Sequence, residues 1–493
     1  MYPKSILEEP VFQLIRSRAE STGNEVYVIG GFVRDLILGI PSKDIDILVV
    51  GDGIAFAREV AAELPGKPRI TVFRNFGTAS LHYRKEEDWN IEFVGARKES
   101  YSRDSRNPNV EPGSLTDDQN RRDFTINALA ISLSGTDYGK LTDPFGGLDD
   151  LRKGIIRTPL DPDITFSDDP LRMLRAVRFA TRLDFKIDPD AMDSIRRNAD
   201  RLSIVSMERI SDELNKIILC RRPSKGFQLL METGLLHLIL PEFVALAGTE
   251  YIDGKGHKDN FRHTLEVLDK LSQKTNDLWL ILAALLHDIS KPPTRRFDPN
   301  AGWTFHGHET LGARMVKTIF KRLKLPLNDK MEYVSRLVQL HLRPIALVDE
   351  EVTDSAIRRL LYEAGDLTDD LMMLCEADVT SKNPEKVRRY LRNLEFVKQR
   401  MKDVEDRDRV RNFQPPVTGE VIMELFGISP SHPVGVIKNA IKEAILDGKI
   451  RNDFDQAFDL MVEEGKKTGL IPAASLQTMK QKYRPKDSDT QNI

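Results

Sequence analysis

Residues 30–46 read Gly-Gly-Phe-Val-Arg-Asp-Leu-Ile-Leu-Gly-Ile-Pro-Ser-Lys-Asp-Ile-Asp, an order of residue types suited to phosphate chemistry. The apolar run Val26–Ile29 predicts a strand ending on Gly30 and Gly31, where the backbone can approach a ligand closely, and Phe32–Leu38 continues as a helix. N–H groups at a helix start carry partial positive charge, so a triphosphate fits there with Arg34 in reach. Asp44 and Asp46 open the next apolar run, Ile45–Val50, and two residues apart on a strand they point to one face. Side by side they repel unless cations neutralise them. A pair of Mg²⁺ ions about 3.5–4 Å apart would do so while clamping both oxygens of an in-line phosphoryl displacement. Trp89–Ala96 predicts a further strand whose alternation aims Glu92 as a third metal carboxylate, with Glu86 and Glu87 as competing positions. Arg121 and Arg122 then offer guanidiniums for phosphates, and Asp123 and Asn127 offer partners for ribose hydroxyls. Singly, an Asp-x-Asp is commonly a solvated strand edge and a Gly-Gly commonly a turn; the argument rests on their combination in this order.

A second constellation lies further on. Six of the 9 histidines, at 257, 263, 287, 306, 308 and 341, fall in one helical stretch that also holds Asp288 and Asp378. A lone histidine on an apolar face is usually structural, whereas imidazoles and carboxylates recurring across a helical domain suit Mg²⁺, Mn²⁺ or Ni²⁺.

Four motifs now identify a resemblance: Gly30-Gly31-x-x-Arg34-Asp35, Asp44-x-Asp46, Arg121-Arg122-Asp123-Phe124-Thr125-Ile126-Asn127-Ala128, and Asp168-Asp169-Pro170-Leu171-Arg172-Met173-Leu174-Arg175-Ala176-Val177-Arg178-Phe179. In this order the chain resembles class II tRNA nucleotidyltransferases (CCA-adding enzymes) and bacterial poly(A) polymerases over residues 20–220. The histidine stretch resembles the HD phosphohydrolase domain. There His263, His287, Asp288 and Asp378 match the first-metal ligands, His308 and His341 match additional positions of hydrolytically active members, and Lys291 stands in its usual place. The resemblance implies CTP, ATP and tRNA as partners, an α+β fold with a small mixed-sheet head, and an all-helical neck, HD body and tail. The expected spans are 1–150 for the head, 151–225 for the neck, 226–400 for the HD domain and 401–493 for a tRNA-binding tail.

The resemblance also maps a base-reading pair onto Asp169 and Arg172, with Arg175 and Arg178 beside them in the nucleotide-binding set. A carboxylate next to a guanidinium complements the amino donor and ring-nitrogen acceptor shared by cytosine and adenine, and mismatches uracil and guanine. Asp169-Pro170 reads equally as a helix N-cap followed by Pro at the first helical position, and Asp168 could share the cap. The family often has Glu where Asp168 stands.

Composition bounds the rest. The 493 residues are 40% hydrophobic and 30% charged, with net charge −3, so any nucleic-acid contact needs local basic surface. Arg172, Arg175, Arg178 and Arg182 share a helical face and form one candidate; Lys480, Lys482, Arg484 and Lys486 around Tyr483 form another, or else a disordered end. The 2 cysteines, Cys220 and Cys375, stand apart in apolar contexts, and no apolar run is long enough for a membrane span, so a reduced, cytoplasmic protein is expected. Ser102–Asn120 is polar and reads as a mobile loop, and Pro384–Arg411 as a charged helical connector with Leu391, Leu394 and Val397 packed inward. The oligomeric state stays open. So does the choice between CCA addition, poly(A) or A addition, and a different class altogether: an HD phosphohydrolase carrying a regulatory nucleotide-binding head. The complete set Asp44, Asp46, Glu92 and Arg121–Asp123 favours the transferase, because a regulatory head would be expected to lack a metal ligand.

Overall fold

The computed structural model describes residues 4–74, 77–84, 88–102, 105–252, 255–349, 353–381 and 383–484. The chain divides into two compact units, Met1–Ala245 with Lys321–Leu325 and Leu246–Phe320 with Pro326–Ile493.

The first unit is built on a mixed sheet. Its strands are β1 (Glu25–Ile29), β2 (Asp44–Val50), β3 (Ile70–Phe73), β4 (Thr78–Arg84) and β5 (Asp88–Gly95); after a separate hairpin of β6 (Arg97–Ser102) and β7 (Ser105–Pro112) come β8 (Ala130–Ser132) and β9 (Leu141–Thr142). The order across the 7-stranded sheet is β3-β4-β5-β2-β1-β8-β9. Within this sheet, among the described residues, only β2 and β5 pair in parallel, at the centre, where Asp46 stands opposite Glu92. Alternation buries Ile45, Ile47, Val49, Ile91 and Phe93 on one face and sends Asp44, Asp46 and Glu92 to the other. Between β1 and β2, Gly30 has φ +85° and hands the chain to helix α1 (Gly31–Leu38), which closes on Gly39 at φ +69°.

Ser102–Asn120 differs from the expected mobile loop. Among its described residues, strand β7, paired with β6, and helix α2 (Leu115–Asn120) take up most of it, and Ser114 and Asp117 cap that helix reciprocally. The Ser-x-x-Asp spacing is a capping-box signal hidden inside a polar composition.

Beyond the sheet the first unit is helical, and α3 (Leu171–Arg182) and α4 (Met207–Ile218) pack together. The arginine stripe on α3 is not a free basic face. Arg172 donates to Arg121 O at 2.6 Å, Arg175 pairs with Asp123 at 2.7 Å, Arg178 with Glu213 at 2.6 Å, and Arg182 lies 3.6 Å from Asp35. Each guanidinium meets an acid or a carbonyl from a packed neighbour, so this stripe ties the unit together.

The second unit is helical. Helices α5 (Asn260–Ser272), α6 (Leu278–Leu286), α7 (beginning at His308), α8 (Asp329–Leu340) and α9 (Thr368–Asp378) carry the histidine cluster. Helix α6 is apolar all round, and Leu280–Leu286 are buried throughout. The charged helix α10 (Pro384–Asp408) buries Leu394, Val397, Met401 and Val404, but Leu391 is 39% exposed because the first turns of that helix face solvent on nearly every side. Helices α11 (Gly419–Phe426), α12 (His432–Leu446), α13 (Phe454–Lys467) and α14 (Leu476–Tyr483) follow. The basic cluster on α14 is ordered and paired: Lys480 bonds Asp459 at 2.7 Å, Lys482 and Tyr483 bond Glu424, and Arg484 bonds Asp455. Lys486, like Glu86 and Glu87, lies outside the described residues. Both cysteines are buried and unbridged, and among the described residues no helix is long and apolar enough to cross a membrane.

The Asp123–Arg175 pair fastens α3 to the head. Burial pushes the Asp123 carboxyl up, but Arg175, Asn127 and Arg172 outweigh it and hold its pKa at about 2, below the ordinary 3.8. That depression contributes about 2 kcal/mol of stability, present above pH 3.8 and lost as pH falls through 2. Asp123→Asn should therefore lower unfolding free energy by about 2 kcal/mol at pH 7, with the gap to wild type closing toward pH 2 in denaturant titrations; a gap independent of pH would rule out the ion pair as its source.

Candidate functional site

In the first unit, strand register sets the carboxylates. Asp46 pairs with Ile29 on β1 and with Glu92 on β5, and Asp44 follows the same pleat two residues earlier. Burial pushes the Asp46 carboxyl up, Arg122 opposes that, and Glu92, Asp44 and Asp118 push it up further. Gly30 makes room for this encounter: a Cβ there would sit 2.8 Å from Arg122 Nη1 and 3.2 Å from Asp46 Oδ2. Crowded like charges beside one arginine form a donor set that fits hard divalent cations.

Two cavities adjoin here. One, of about 500 Å³, is lined by Asp46, Glu92, Arg97, Arg121 and Arg122 among others. The other, of about 510 Å³, is lined by Asp169, Arg172, Arg175 and Asp123, and again by Arg97, Arg121 and Arg122. The three shared arginines form a common wall. Asp169 lines the second cavity, and its Oδ1 accepts from Leu171 N at 3.2 Å just ahead of α3, whose N-cap position is Pro170 and not the expected Asp169.

Other expected nucleotide contacts are spent internally. Arg34 is 3% exposed and donates to Asp35 at 2.8 Å and to Asn127 Oδ1 at 2.6 Å, so it braces the floor of the head. Asn127 in turn donates to Asp123 at 2.9 Å. Asp123 also accepts from Phe124 N and from Arg175, leaving its oxygens engaged by protein groups. Arg178 donates to Glu213 at 2.6 Å, and Glu213 in turn lines the second cavity. Sequence reasoning missed Asp118, which binds both Arg121 and Arg122; an acid three and four residues before two arginines was the available signal. Arg97 was missed as well.

In the second unit the six expected HD residues do converge. Two sets of three, His263, His287 and Asp378, and Asp288, His308 and His341, each bring ligand atoms within 4.8 Å of one another; among the described residues these are the sets that do so, and the head carboxylates are not one of them. His287 and His341 are the C-caps of α6 and α8, where the last carbonyls lack helical partners. Their Nδ1 atoms donate to Ala284 O and Val338 O at 2.7 Å, and His308 Nδ1 donates to Phe305 O at 2.7 Å. A carbonyl can only accept, so these bonds set the tautomer and leave Nε2 facing inward. Nε2 of His287, His308 and His341 and Oδ1 of Asp288 are buried without hydrogen-bond partners. Asp288 lies between the sets, Oδ2 3.3 Å from His287 and Oδ1 3.4 Å from His308. His263 is held differently: Nδ1 meets Lys258 Nζ and Thr380 Oγ1, both at 2.8 Å, and Nε2 meets Asp378 at 2.8 Å. Burial pushes His287 down, but Asp288 and Asp378 outweigh it and raise its pKa to about 10, a pull that a cation would equally satisfy; His341, buried beside His287, falls to about 4. The orphaned lone-pair atoms and the mixed imidazole–carboxylate set fit a divalent transition metal or Mg²⁺.

Comparison with known proteins agrees with this geometry. Residues 26–157 match the poly A polymerase head domain, 184–246 a probable RNA and SrmB-binding site of polymerase A, and 260–383 the HD domain. The chain is 31% identical to an A-adding tRNA nucleotidyltransferase of Deinococcus radiodurans, over 86% of this chain and 92% of that protein. It is 33% identical to a multifunctional CCA protein of Chromobacterium violaceum, over 68% of this chain and 78% of that one. A crystal structure of a tRNA nucleotidyltransferase with a primer tRNA and an incoming ATP analog aligns at 26% identity and TM-score 0.55, over 79% of this chain and 99% of that one. Sheet order, paired cavities and family matches lead to one conclusion: the chain belongs to the tRNA nucleotidyltransferase and poly(A) polymerase family and is a nucleotidyltransferase with an HD domain.

Proposed function

We propose that the enzyme adds CCA to tRNA 3′ ends from CTP and ATP. The observation that carries this reading is the arginine wall shared by the carboxylate cavity and the Asp169–Arg172 cavity. A nucleotide with its base at Asp169 and Arg172 and its α-phosphate at Asp46 and Glu92 runs its triphosphate along Arg97, Arg121 and Arg122. The Arg172 guanidinium donates to the ring nitrogen of cytosine or adenine, and Asp169 Oδ2 accepts from the amino group while Oδ1 stays with Leu171 N. Uracil and guanine present the reverse pattern and leave both groups unpaired. Asp44, Asp46 and Glu92 would hold Mg²⁺, which supplies Lewis-acid stabilisation of an in-line displacement when bound.

The HD cluster supports a second activity, hydrolysis of a small phosphoester, most simply a 2′,3′-cyclic phosphate or 2′-phosphate at an RNA end. Its support is the set of inward-facing, unpartnered Nε2 atoms. His263, His287, Asp288 and Asp378, with His308 and His341, would hold Mg²⁺, Mn²⁺ or Ni²⁺, which supplies Lewis-acid chemistry on the ester. Lys291, 2.6 Å from Asp288, keeps that carboxylate charged and oriented.

Incubating the enzyme with tRNA ending at its discriminator base should give two added nucleotides with CTP alone and three with CTP and ATP. No extension by CTP, with a single addition to tRNA already ending in CC, would make it an A-adding enzyme, the activity that names the Deinococcus relative. Asp46→Ala should reduce incorporation to below about 1% of wild type, a barrier increase above about 2.7 kcal/mol, while tRNA binding survives. Arg172→Ala should impair CTP and ATP and relax discrimination against UTP and GTP; an unchanged selectivity ratio with only a lower melting temperature would leave this residue a structural role alone. Asp288→Asn should abolish phosphoester hydrolysis and leave CCA addition near wild type, and loss of both activities together would refute independent sites.

A further inference from the structure

The cavity that holds Asp169 and Arg172 is also lined by four side chains of α4: Arg209, Asp212, Glu213 and Lys216. Two of them are committed within the protein. Glu213, its side chain 4% exposed, accepts from Arg178 at 2.6 Å and pairs with Lys216 at 3.1 Å. The Arg178–Glu213 pair clamps α3 to α4 and so fixes where the neighbouring positions of α4 stand relative to Arg172. The other two are uncommitted: among the described residues the side chains of Arg209 and Asp212 make no hydrogen bond or ion pair. Elsewhere in the cavity Arg97, Arg121, Arg122 and Arg175 each already meet a carboxylate. Arg209 and Asp212 stand three positions apart, as Asp169 and Arg172 do, and on a helix that spacing puts both on one face. The cavity therefore carries two carboxylate–guanidinium pairs, and one base needs only one of them.

The reaction brings a second base. The attacking 3′-hydroxyl and the α-phosphate become one phosphodiester, so the last nucleoside of the RNA and the incoming one must be held as consecutive residues of the product. Unpaired RNA ends are recognised through the Watson–Crick edges of their bases and by stacking on guanidinium planes. Helix α4 lies within residues 184–246, the span that matches a probable RNA and SrmB-binding site of polymerase A. We propose that Arg209 and Asp212 form a second reading pair, which holds the base of the RNA's terminal nucleotide beside the incoming one. Arg209 donates to the ring nitrogen of a terminal cytosine and Asp212 accepts from its amino group, whereas a terminal uracil leaves both unpaired. This rests on the nucleotide route above.

Addition of AMP to RNA ending in CC tests the pair, because CCA-adding and A-adding enzymes share that step and it is read even where CTP addition fails. Wild type should extend RNA ending in CC at least about tenfold better, by kcat/KM, than RNA ending in CU. Arg209→Ala and Asp212→Asn should each raise KM for the CC-ended RNA about tenfold and bring that preference below about threefold, with KM for ATP and the melting temperature close to wild type. An unchanged preference for CC over CU would overturn the proposal. So would a rise in KM for ATP with none for RNA, which would assign the pair to the incoming nucleotide. Failure of the wild-type enzyme to extend any RNA would be a failure of the nucleotidyl-transfer reading itself, distinct from a defect confined to the two variants.

Discussion

Alternation of charge around Gly30 is the constraint on which the carboxylate face of the sheet depends. From the hairpin inward the groups run Glu99, Arg121, Asp118, Arg122, Asp46, each acid beside a guanidinium. Parallel pairing of β2 and β5 puts Asp46 next to Glu92, a juxtaposition of like charges that burial makes worse. Arg122 offsets it only because position 30 carries no side chain. A polar chain, Arg34, Asn127, Asp123, Arg175, in which the Asn127 amide bridges guanidinium to carboxylate, ties this face to α3 and so to the cavity wall that bears Arg172.

Much of this was legible because periodicity survives in the sequence. The strand-to-helix step at Gly30-Gly31 and the alternation around Asp44, Asp46 and Glu92 determine which residues share a face, and the structure has them so. Partners are a different matter. Arg34 and Arg122 look alike in sequence; one is consumed by Asp35 and Asn127 and the other faces Asp46, a distinction set by residues up to 93 positions away. The α3 stripe misled for the same reason, since a helical face of arginines reads as solvent-exposed until the acids of packed neighbours are known. Ser102–Asn120 misled because polar composition masked a hairpin and a capped helix.

The two candidate metal sites use opposite strategies. In the head, carboxylates project from strands, stay apart without a cation, and leave room for substrate oxygens to complete a hard-ion shell. In the HD unit, imidazoles and carboxylates already converge, and their unpartnered atoms are costly unless something binds them. The first arrangement leaves its carboxylates apart, whereas the second gathers its ligand atoms within 4.8 Å of one another.

Seating histidines on helix ends has a consequence for how this chain can change. His287 and His341 end α6 and α8, and their rings are keyed to carbonyls three residues back. Adding or removing one residue within either helix would rotate the ring about 100° around the axis and take Nε2 off the centre. An inserted residue in the connections between these helices leaves each ring on its carbonyl, whereas one inside either helix turns the ring off the cluster.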